Sequence, residues 1–324
     1  MQIVLDTYGI DLSVRNRCFL ITHGDDKRLV HPSRVTSILI TRPCRLSTPA
    51  ILLAASNEIA LTICSLSGHP EAKLWSPRFA NTSALRRKQY TFTTSPPGME
   101  WIKQIIAAKL NNQIANLKFI ADRKPAVTAE TGAAIAEITR CVGQIEMLNS
   151  ANVNCAAKIR YFEAVAARHY WQRLGTKLPV PFCFAHRVKK GAPDSFNPAI
   201  NYLYAMLRNH VETGILSFGL DPALACMHRD GYNLPSLVFD VMEPFRPITD
   251  RLLIDLVLAG KINNITAPEN GECRLTREGR KKLIEQFNEK LQKTMVYKKA
   301  KTNLTNHILL EIKLLANEIR NHEA

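Results

Sequence analysis

Four side chains in this sequence have the types and spacing of a divalent-cation site. His228, Asp240 and Glu243 fall within sixteen residues, in a stretch that is otherwise rich in apolar residues. Asp240 and Glu243 are three residues apart, so a helix here would place both carboxylates on one face. His228 precedes them across a predicted turn at residues 230–233. The spacing therefore predicts that these side chains can converge on one cation.

The fourth side chain, Glu163, lies upstream in a segment with helical periodicity. The apolar residues of this segment recur at helical spacing: Ile159, Phe162, Ala166 and Tyr170. Carboxylate and imidazole ligands suit Mg²⁺ or Mn²⁺ in phosphate chemistry, where the ion keeps open positions for substrate oxygens. Each residue alone also fits a simpler interpretation, since a Glu on a half-buried helix is usually a salt-bridged side chain. Spacing alone leaves both interpretations open.

Four longer motifs follow one another along the chain, and three of them contain these residues. They run over Glu163 to Trp171 (EAVAARHYW), Asn197 to Leu207 (NPAINYLYAML), Gly219 to His228 (GLDPALACMH) and Asp240 to Pro247 (DVMEPFRP). Together they resemble the CRISPR-associated integrase and endonuclease that forms the larger subunit of the spacer-acquisition complex. The segments that begin at Ser37 and at Leu275 also resemble this family, so the likeness covers most of the chain.

The resemblance assigns roles to individual positions. It implies three catalytic residues that are also metal ligands: Glu163, His228 and Glu243. Asp240 matches an accompanying acid of the site, and Asn197 and Asn201 match polar positions close to the active centre. The cofactor implied is Mg²⁺ or Mn²⁺.

The resemblance also implies an activity and partners. The expected protein is a metal-dependent DNA integrase and endonuclease that inserts short foreign DNA into the repeat array by 3′-hydroxyl transesterification. Its DNA would be double-stranded with 3′ single-stranded ends, together with the CRISPR repeat. The expected assembly is a homodimer joined through β-rich domains, with a small ferredoxin-like CRISPR adaptation subunit as the further partner.

The charge of the chain favours a polyanionic partner independently of the resemblance. The 43 Lys and Arg residues outnumber the 28 Asp and Glu residues, which gives a formal net charge of +15. Such an excess is typical of nucleic-acid-binding proteins. The candidate DNA contacts are Arg86, Arg87, Lys88, Arg187, Lys189 and Lys190, with a further basic run at Lys298, Lys299 and Lys301. For the first three, a solvated loop is an equally good interpretation.

Composition excludes several other classes. The longest apolar run, which begins at Leu252, is interrupted by Asp255 and is too short to span a membrane. The N-terminus lacks the pattern of a secretory signal. The eight Cys include no C-x-x-C pair, which argues against a zinc ribbon or a disulfide framework. We therefore expect a cytoplasmic protein with no membrane association.

The elements that must position these residues form an α+β chain with two domains. Residues 1–80 read as a β-rich, β-sandwich-like dimerisation domain, with one helix at Pro49 to Asn57 capped by Ser47 or Thr48. Residues 81–98, rich in Ser, Thr, Pro and Arg, read as a linker. Residues 99–324 have helical periodicity and would form an α-helical catalytic domain.

Two other function classes fit parts of the pattern. One is a non-catalytic basic protein that binds DNA as a scaffold, in which the acids are structural. The other is a metal hydrolase of small phosphate esters, which would need a closed pocket and less positive charge. The simultaneous presence of three ligand positions argues against the first, and polyanion binding separates the second from an integrase.

Overall fold

The computed structural model describes residues 1–65, 70–74, 82–123, 128–228, 231 and 234–323. The chain divides into two compact units, Met1–Thr82 and Ser83–Ala324. Strands dominate the first unit and long helices dominate the second, so the predicted α+β class is confirmed. None of the helices in the described ranges is both long and apolar enough to cross a bilayer.

Two four-stranded sheets build the first unit. Its elements are β1 Gln2–Leu5, β2 Asp11–Arg15, β3 Cys18–His23, β4 Asp26–Val30, β5 Ser37–Ile40, β6 Arg45–Leu46, α1 Thr48–Ser56, β7 Ala60–Cys64 and β8 Pro70–Leu74. One sheet has the order β1-β5-β7-β8, with the first three strands parallel, and the other has the order β4-β3-β2-β6. Buried residues of both sheets, including Leu12, Phe19, Ile38 and Leu61, form one core.

The predicted short helix of this unit is present with the predicted cap. Helix α1 begins at Thr48, and the Ser47 hydroxyl accepts a hydrogen bond from the Ala50 amide at 3.3 Å. Pro49 lies in the first turn, where its missing N–H costs no hydrogen bond. Ala50 and Ala54 pack into the core between the strands.

The second unit is built mainly from nine helices within the described residues. They are α2 Thr82–Thr93, α3 Pro96–Arg123, α4 Thr128–Glu146, α5 Cys155–Gly175, α6 Phe196–Ser217, α7 Ser236–Met242, α8 Arg246–Leu258, α9 Arg277–Gln292 and α10 Leu304–Asn321. A 3₁₀ turn, Glu243–Phe245, connects α7 to α8. The long helix α3 packs against α4, α5, α8 and this turn. Helix α3 therefore contacts several of the elements that carry the candidate site residues.

The structure differs from the sequence prediction at residues 81–98. The described part of this stretch is largely helical, because α2 contains no Gly or Pro and α3 already begins at Pro96. Ser95 accepts a hydrogen bond from the Gly98 amide at 3.3 Å and so caps α3. Gln89 of α2 binds the backbone of Asp221 and Leu224, which ties this helix to the loop that carries His228.

The second unit also contains two hairpins, which the prediction of an α-helical domain over residues 99–324 does not include. They are β9 Thr266–Glu269 with β10 Glu272–Leu275, and β11 Thr294–Tyr297 with β12 Ala300–Asn303. Asn270 and Gly271 have φ of 52° and 81°, which is the left-handed geometry of a tight two-residue hairpin turn. Lys298 and Lys299 form the second turn, also with positive φ. The C-terminal basic run therefore lies on a hairpin.

A buried polar network joins four helices beside the site. The Asn116 amide donates to the Tyr170 hydroxyl at 3.1 Å and to the Pro247 carbonyl at 2.8 Å. Tyr170 and Tyr204 donate to the two oxygens of Asp250, at 3.0 and 2.5 Å. Burial raises the pKa of Asp250 to about 6, although the two tyrosine hydrogen bonds oppose this shift. The network fixes α3, α5, α6 and α8 relative to one another.

Asp250 should make stability depend on pH in a predictable direction. Its folded-state pKa of about 6 exceeds its ordinary value of 3.8, so the folded protein binds the extra proton between these values. The unfolding free energy of the wild type, relative to Asp250→Asn, should therefore rise as pH falls from about 7 to 4, by at most about 3 kcal/mol. Urea unfolding of both proteins across this range measures the difference. Parallel curves would contradict the assignment.

Candidate active site

Two acids from different elements approach each other in the second unit. Glu163 lies on α5 with its side chain 23% exposed, and Glu243 opens the 3₁₀ turn with its side chain 3% exposed. The ammonium of Lys109, on α3, lies between them, 2.5 Å from Glu163 Oε1 and 2.6 Å from Glu243 Oε2. The two acids predicted from widely separated motifs are thus brought to one point.

His228 faces the same point and is held in place by Asp240. The His228 Nδ1 atom lies 2.6 Å from Asp240 Oδ1, and the His228 Nε2 atom lies 3.9 Å from Glu243 Oε1. With Nδ1 engaged by the carboxylate, Nε2 is the ring nitrogen available to a ligand. Asp230 and Asn233, which belong to the predicted turn after His228, lie outside the described residues.

Asp240 has no oxygen to spare for a cation. It is fully buried, and its carboxylate accepts backbone hydrogen bonds from Cys226 at 2.8 Å, Met227 at 3.1 Å and His228 at 3.2 Å. With the imidazole contact, four groups converge on this one side chain. Asp240 therefore orients the His228 loop, whereas Glu243, three residues further along, faces Lys109.

Two basic residues of the site, Lys109 and Arg246, were not identified from the sequence. Arg246 Nε lies 3.2 Å from Glu243 Oε1. Burial lowers the pKa of Lys109, but Glu243 and Glu163 outweigh it, and the net pKa is raised. For Glu243 the directions are reversed: burial raises its pKa, but the positive charges of Arg246 and Lys109 outweigh burial, and the net pKa is lowered. Glu243 and Lys109 therefore each favour the charged form of the other.

The residues present fit a divalent cation by their chemistry. Glu163, Glu243 and His228 Nε2 supply two carboxylates and one imidazole. Glu243 Oε2 is buried and has no well-formed hydrogen bond in the described part of the chain, so cations alone balance it. As the side chains stand, no three His, Cys, Asp or Glu residues within the described ranges are close enough to hold a metal. Lys109 fills the space between the two acids.

Asn197 and Asn201 position an arginine beside this cluster. The Asn201 Oδ1 atom accepts from Arg187 Nη2 at 2.8 Å, and Asn197 Oδ1 accepts from Arg187 and from the Val188 amide. The Arg187 guanidinium lies 5.0 Å from the centre of the Trp171 ring. The two amides therefore hold the loop that carries Arg187.

A pocket of about 210 Å³ opens next to the acids. Its charged lining residues are Lys109, Glu163, Arg187, Lys189 and Arg246. Four cations against one acid make this pocket suitable for an anion such as a phosphate.

The other basic candidates lie elsewhere in the second unit. Arg86, Arg87 and Lys88 are on α2, where the Lys88 ammonium donates to the Arg320 carbonyl at 2.7 Å and Arg87 is exposed. Lys190 is exposed in the loop after Arg187. Lys298 is paired with Glu311 at 2.8 Å. Their role in DNA binding stays a prediction.

Comparison with known proteins matches the chain to one protein family. The family model described as "CRISPR associated protein Cas1" matches residues 3–289. "CRISPR-associated endonuclease Cas1 2" of Saccharolobus solfataricus is 28% identical over 91% of this chain and 89% of its own length.

Two solved structures share the fold. "Casposase bound to integration product" has a TM-score of 0.82 at 22% identity, covering 100% of this chain and 92% of its own. A chain of a "Cas6-RT-Cas1--Cas2 complex" has a TM-score of 0.81 at 18% identity, covering 99% of this chain and 35% of its own.

Asp240→Asn should destabilise the protein. An amide in place of the carboxylate turns one acceptor into a donor that faces backbone N–H groups, so at least one buried donor loses its partner. We expect the unfolding free energy to fall by about 1 to 3 kcal/mol, measured by urea unfolding at neutral pH. Asp255→Asn is the control, because this side chain is 48% exposed and pairs only at the surface with Arg251. Equal losses in the two variants would contradict the role given to Asp240.

Proposed function

The chain belongs to the CRISPR-associated Cas1 family, since the family model matches residues 3–289, and from this premise we propose that it is a DNA endonuclease and integrase of CRISPR adaptation. The resemblance inferred from the four motifs is thereby confirmed at the level of the family. The observation that carries the proposal is that Glu163 and Glu243 both contact Lys109, with His228 Nε2 3.9 Å from Glu243, beside a cationic pocket.

The proposed cofactor is Mg²⁺ or Mn²⁺, held by Glu163, His228 and Glu243. When bound, such an ion supplies a Lewis acid that stabilises negative charge on phosphate oxygens. Asp240 keeps the His228 Nε2 atom turned towards the acids, because it engages Nδ1 and the backbone of the same loop. The buried position of Glu243 favours oxygen ligands that are fixed before substrate arrives.

The proposed reaction is transesterification at a phosphodiester. The 3′-hydroxyl of a short incoming DNA attacks a phosphorus atom in the repeat; a new P–O bond forms and the bond to the leaving 3′-oxygen breaks. Arg187, Lys189 and Arg246 line the pocket where the phosphate would lie, and their positive charge favours the crowded anionic transition state. Water in place of the 3′-hydroxyl would give cleavage.

The pocket supports the integrase over the two alternative functions. A scaffold gives no role to a cationic pocket lined by Glu163, whose partner Lys109 also contacts the buried Glu243. A hydrolase of small esters would need an enclosed site, whereas exposed cations extend from this pocket to Lys189 and Lys190. The integrase therefore accounts for both the acids and the surrounding charge.

The proposed partners follow from charge and from the family. The net charge of +15 supports binding to DNA that is double-stranded with 3′ single-stranded ends and to the CRISPR repeat. We propose a homodimer joined through the β-rich first unit, acting in the cytoplasm. A chain in a solved assembly whose description includes Cas2 shares this fold, which supports a small ferredoxin-like adaptation subunit as a further partner.

Glu163→Ala should abolish integration into a supercoiled plasmid that carries the repeat. Loss of one carboxylate weakens binding of the ion that would stabilise the transition-state charge, so the rate should fall at least about 100-fold, a usual cost when such stabilisation is lost. The matched control is Glu137→Ala, which removes a helical Glu whose carboxylate pairs with Arg140 on the same helix. A rate equal to that of the wild type in Glu163→Ala would exclude the catalytic role and favour the scaffold.

Salt dependence tests DNA binding separately from chemistry. Lys189 and Lys190 are exposed beside the pocket, so replacing both by Gln should make the log–log salt slope of duplex binding shallower by about two units. The matched control replaces Lys281 and Lys282, two exposed lysines of α9. Fluorescence anisotropy at several salt concentrations gives the slopes. An unchanged slope in the first variant would move the binding surface to α2 with Arg86, Arg87 and Lys88.

A further inference from the structure

Lys109 occupies an unusual position for a lysine. Its side chain is 8% exposed, and its ammonium contacts Glu163 Oε1 at 2.5 Å and Glu243 Oε2 at 2.6 Å. These two acids come from different elements, α5 and the 3₁₀ turn, and both belong to the proposed ligand set. The ammonium therefore bridges the carboxylates that would have to bind the divalent cation.

The ammonium and a divalent cation cannot share these oxygens. Mg²⁺ binds oxygen ligands at roughly 2.1 Å, so an ion on the same two oxygens would lie within about 5 Å of the Lys109 nitrogen. Positive charges this close repel strongly in a buried site, where water screens them poorly. Ion binding must therefore change the position of the ammonium.

Lys109 contacts both of the two acids, whereas Arg246 contacts one of them. Its Nε atom contacts the other carboxylate oxygen of Glu243, Oε1, at 3.2 Å. Its guanidinium also lies 5.1 Å from the centre of the Tyr204 ring, which holds it in place. Lys109 is the cation that lies between both acids.

The structure provides a place for the displaced ammonium. Lys109 lines the pocket of about 210 Å³, together with Arg187, Lys189 and Arg246. A lysine carries its charge on a flexible four-carbon stem, so side-chain rotation alone can move the ammonium. Helix α3, which packs against α4, α5 and α8, can remain where it is.

We propose that Lys109 is the resident counter-cation of Glu163 and Glu243 before metal binding, and that a divalent cation displaces its ammonium from between them into the pocket. This inference rests on the metal dependence proposed above. Lys109 then has two effects: it stabilises the ion-free protein by balancing two acids, and it weakens metal binding by competition.

Titration calorimetry with MnCl₂ tests the competition directly. Lys109→Met keeps an unbranched side chain one atom shorter and removes its charge, so we expect it to bind Mn²⁺ at least about tenfold more tightly than the wild type. Lys103→Met is the matched control, since Lys103 is also buried on α3 but pairs with Glu100 and the Leu148 carbonyl. This control should bind Mn²⁺ with the affinity of the wild type.

A measurement on the wild type covers the case in which Lys109→Met does not fold. Reductive dimethylation followed by mass spectrometry reports how accessible each lysine is. Labelling of Lys109 should increase in saturating MnCl₂ as its ammonium enters the pocket, while labelling of Lys103 should not change.

The outcomes separate this inference from the proposed function. Equal or weaker Mn²⁺ binding by Lys109→Met would overturn the displacement. So would labelling of Lys109 that does not change with Mn²⁺ once the wild type is shown to bind the ion. Either result would leave the proposed metal site unaffected. Absence of Mn²⁺ binding by wild type and variant alike would overturn the metal dependence and the inference together.

Discussion

Ion pairs between two carboxylates, the buried Glu243 and the half-buried Glu163, and two cations hold the site together. Glu163 and Glu243 carry charges that are costly to remove from water, and Lys109 and Arg246 offset that cost at distances of 2.5 to 3.2 Å. Because the four side chains come from α3, α5, the 3₁₀ turn and α8, the charges also act as a constraint on how these elements pack. A shift of any one element would leave a buried charge without its partner.

Hydrogen bonds of two further acids and two asparagines hold the surrounding loops and helices in place. Asp240 gathers the loop that carries His228, and Asp250 joins the hydroxyls of Tyr170 and Tyr204 beneath the site. Asn197 and Asn201 hold the loop of Arg187 by accepting hydrogen bonds from its guanidinium. These residues fix the direction of imidazole and guanidinium groups that would otherwise be free to rotate, which is the preorganisation that phosphate chemistry requires.

The fold class and the candidate ligands could be predicted from the sequence. The contacts that hold these ligands in place, and some of the local structure, could not be, for physical reasons. The spacing of Asp240 and Glu243 does place both beside His228, but their different tasks depend on the loop backbone, which spacing does not describe. Lys109 could not be paired with Glu163, 54 residues away, because long-range ion pairs leave no local pattern. The Asn270–Gly271 turn did carry a hairpin signal that the surrounding helical periodicity obscured. The Ser- and Thr-rich composition of α2 concealed a helix whose Gln89 anchors it by tertiary contacts.

The central claim is that Glu163, Glu243 and His228 Nε2 form one divalent-cation site. Anomalous diffraction from crystals grown in MnCl₂ tests it most directly, because the signal locates the ion independently of any activity. We expect a peak within ligand distance of both carboxylates and of the His228 Nε2 atom. A map with Mn²⁺ bound elsewhere on the protein, and none between these three side chains, would contradict it.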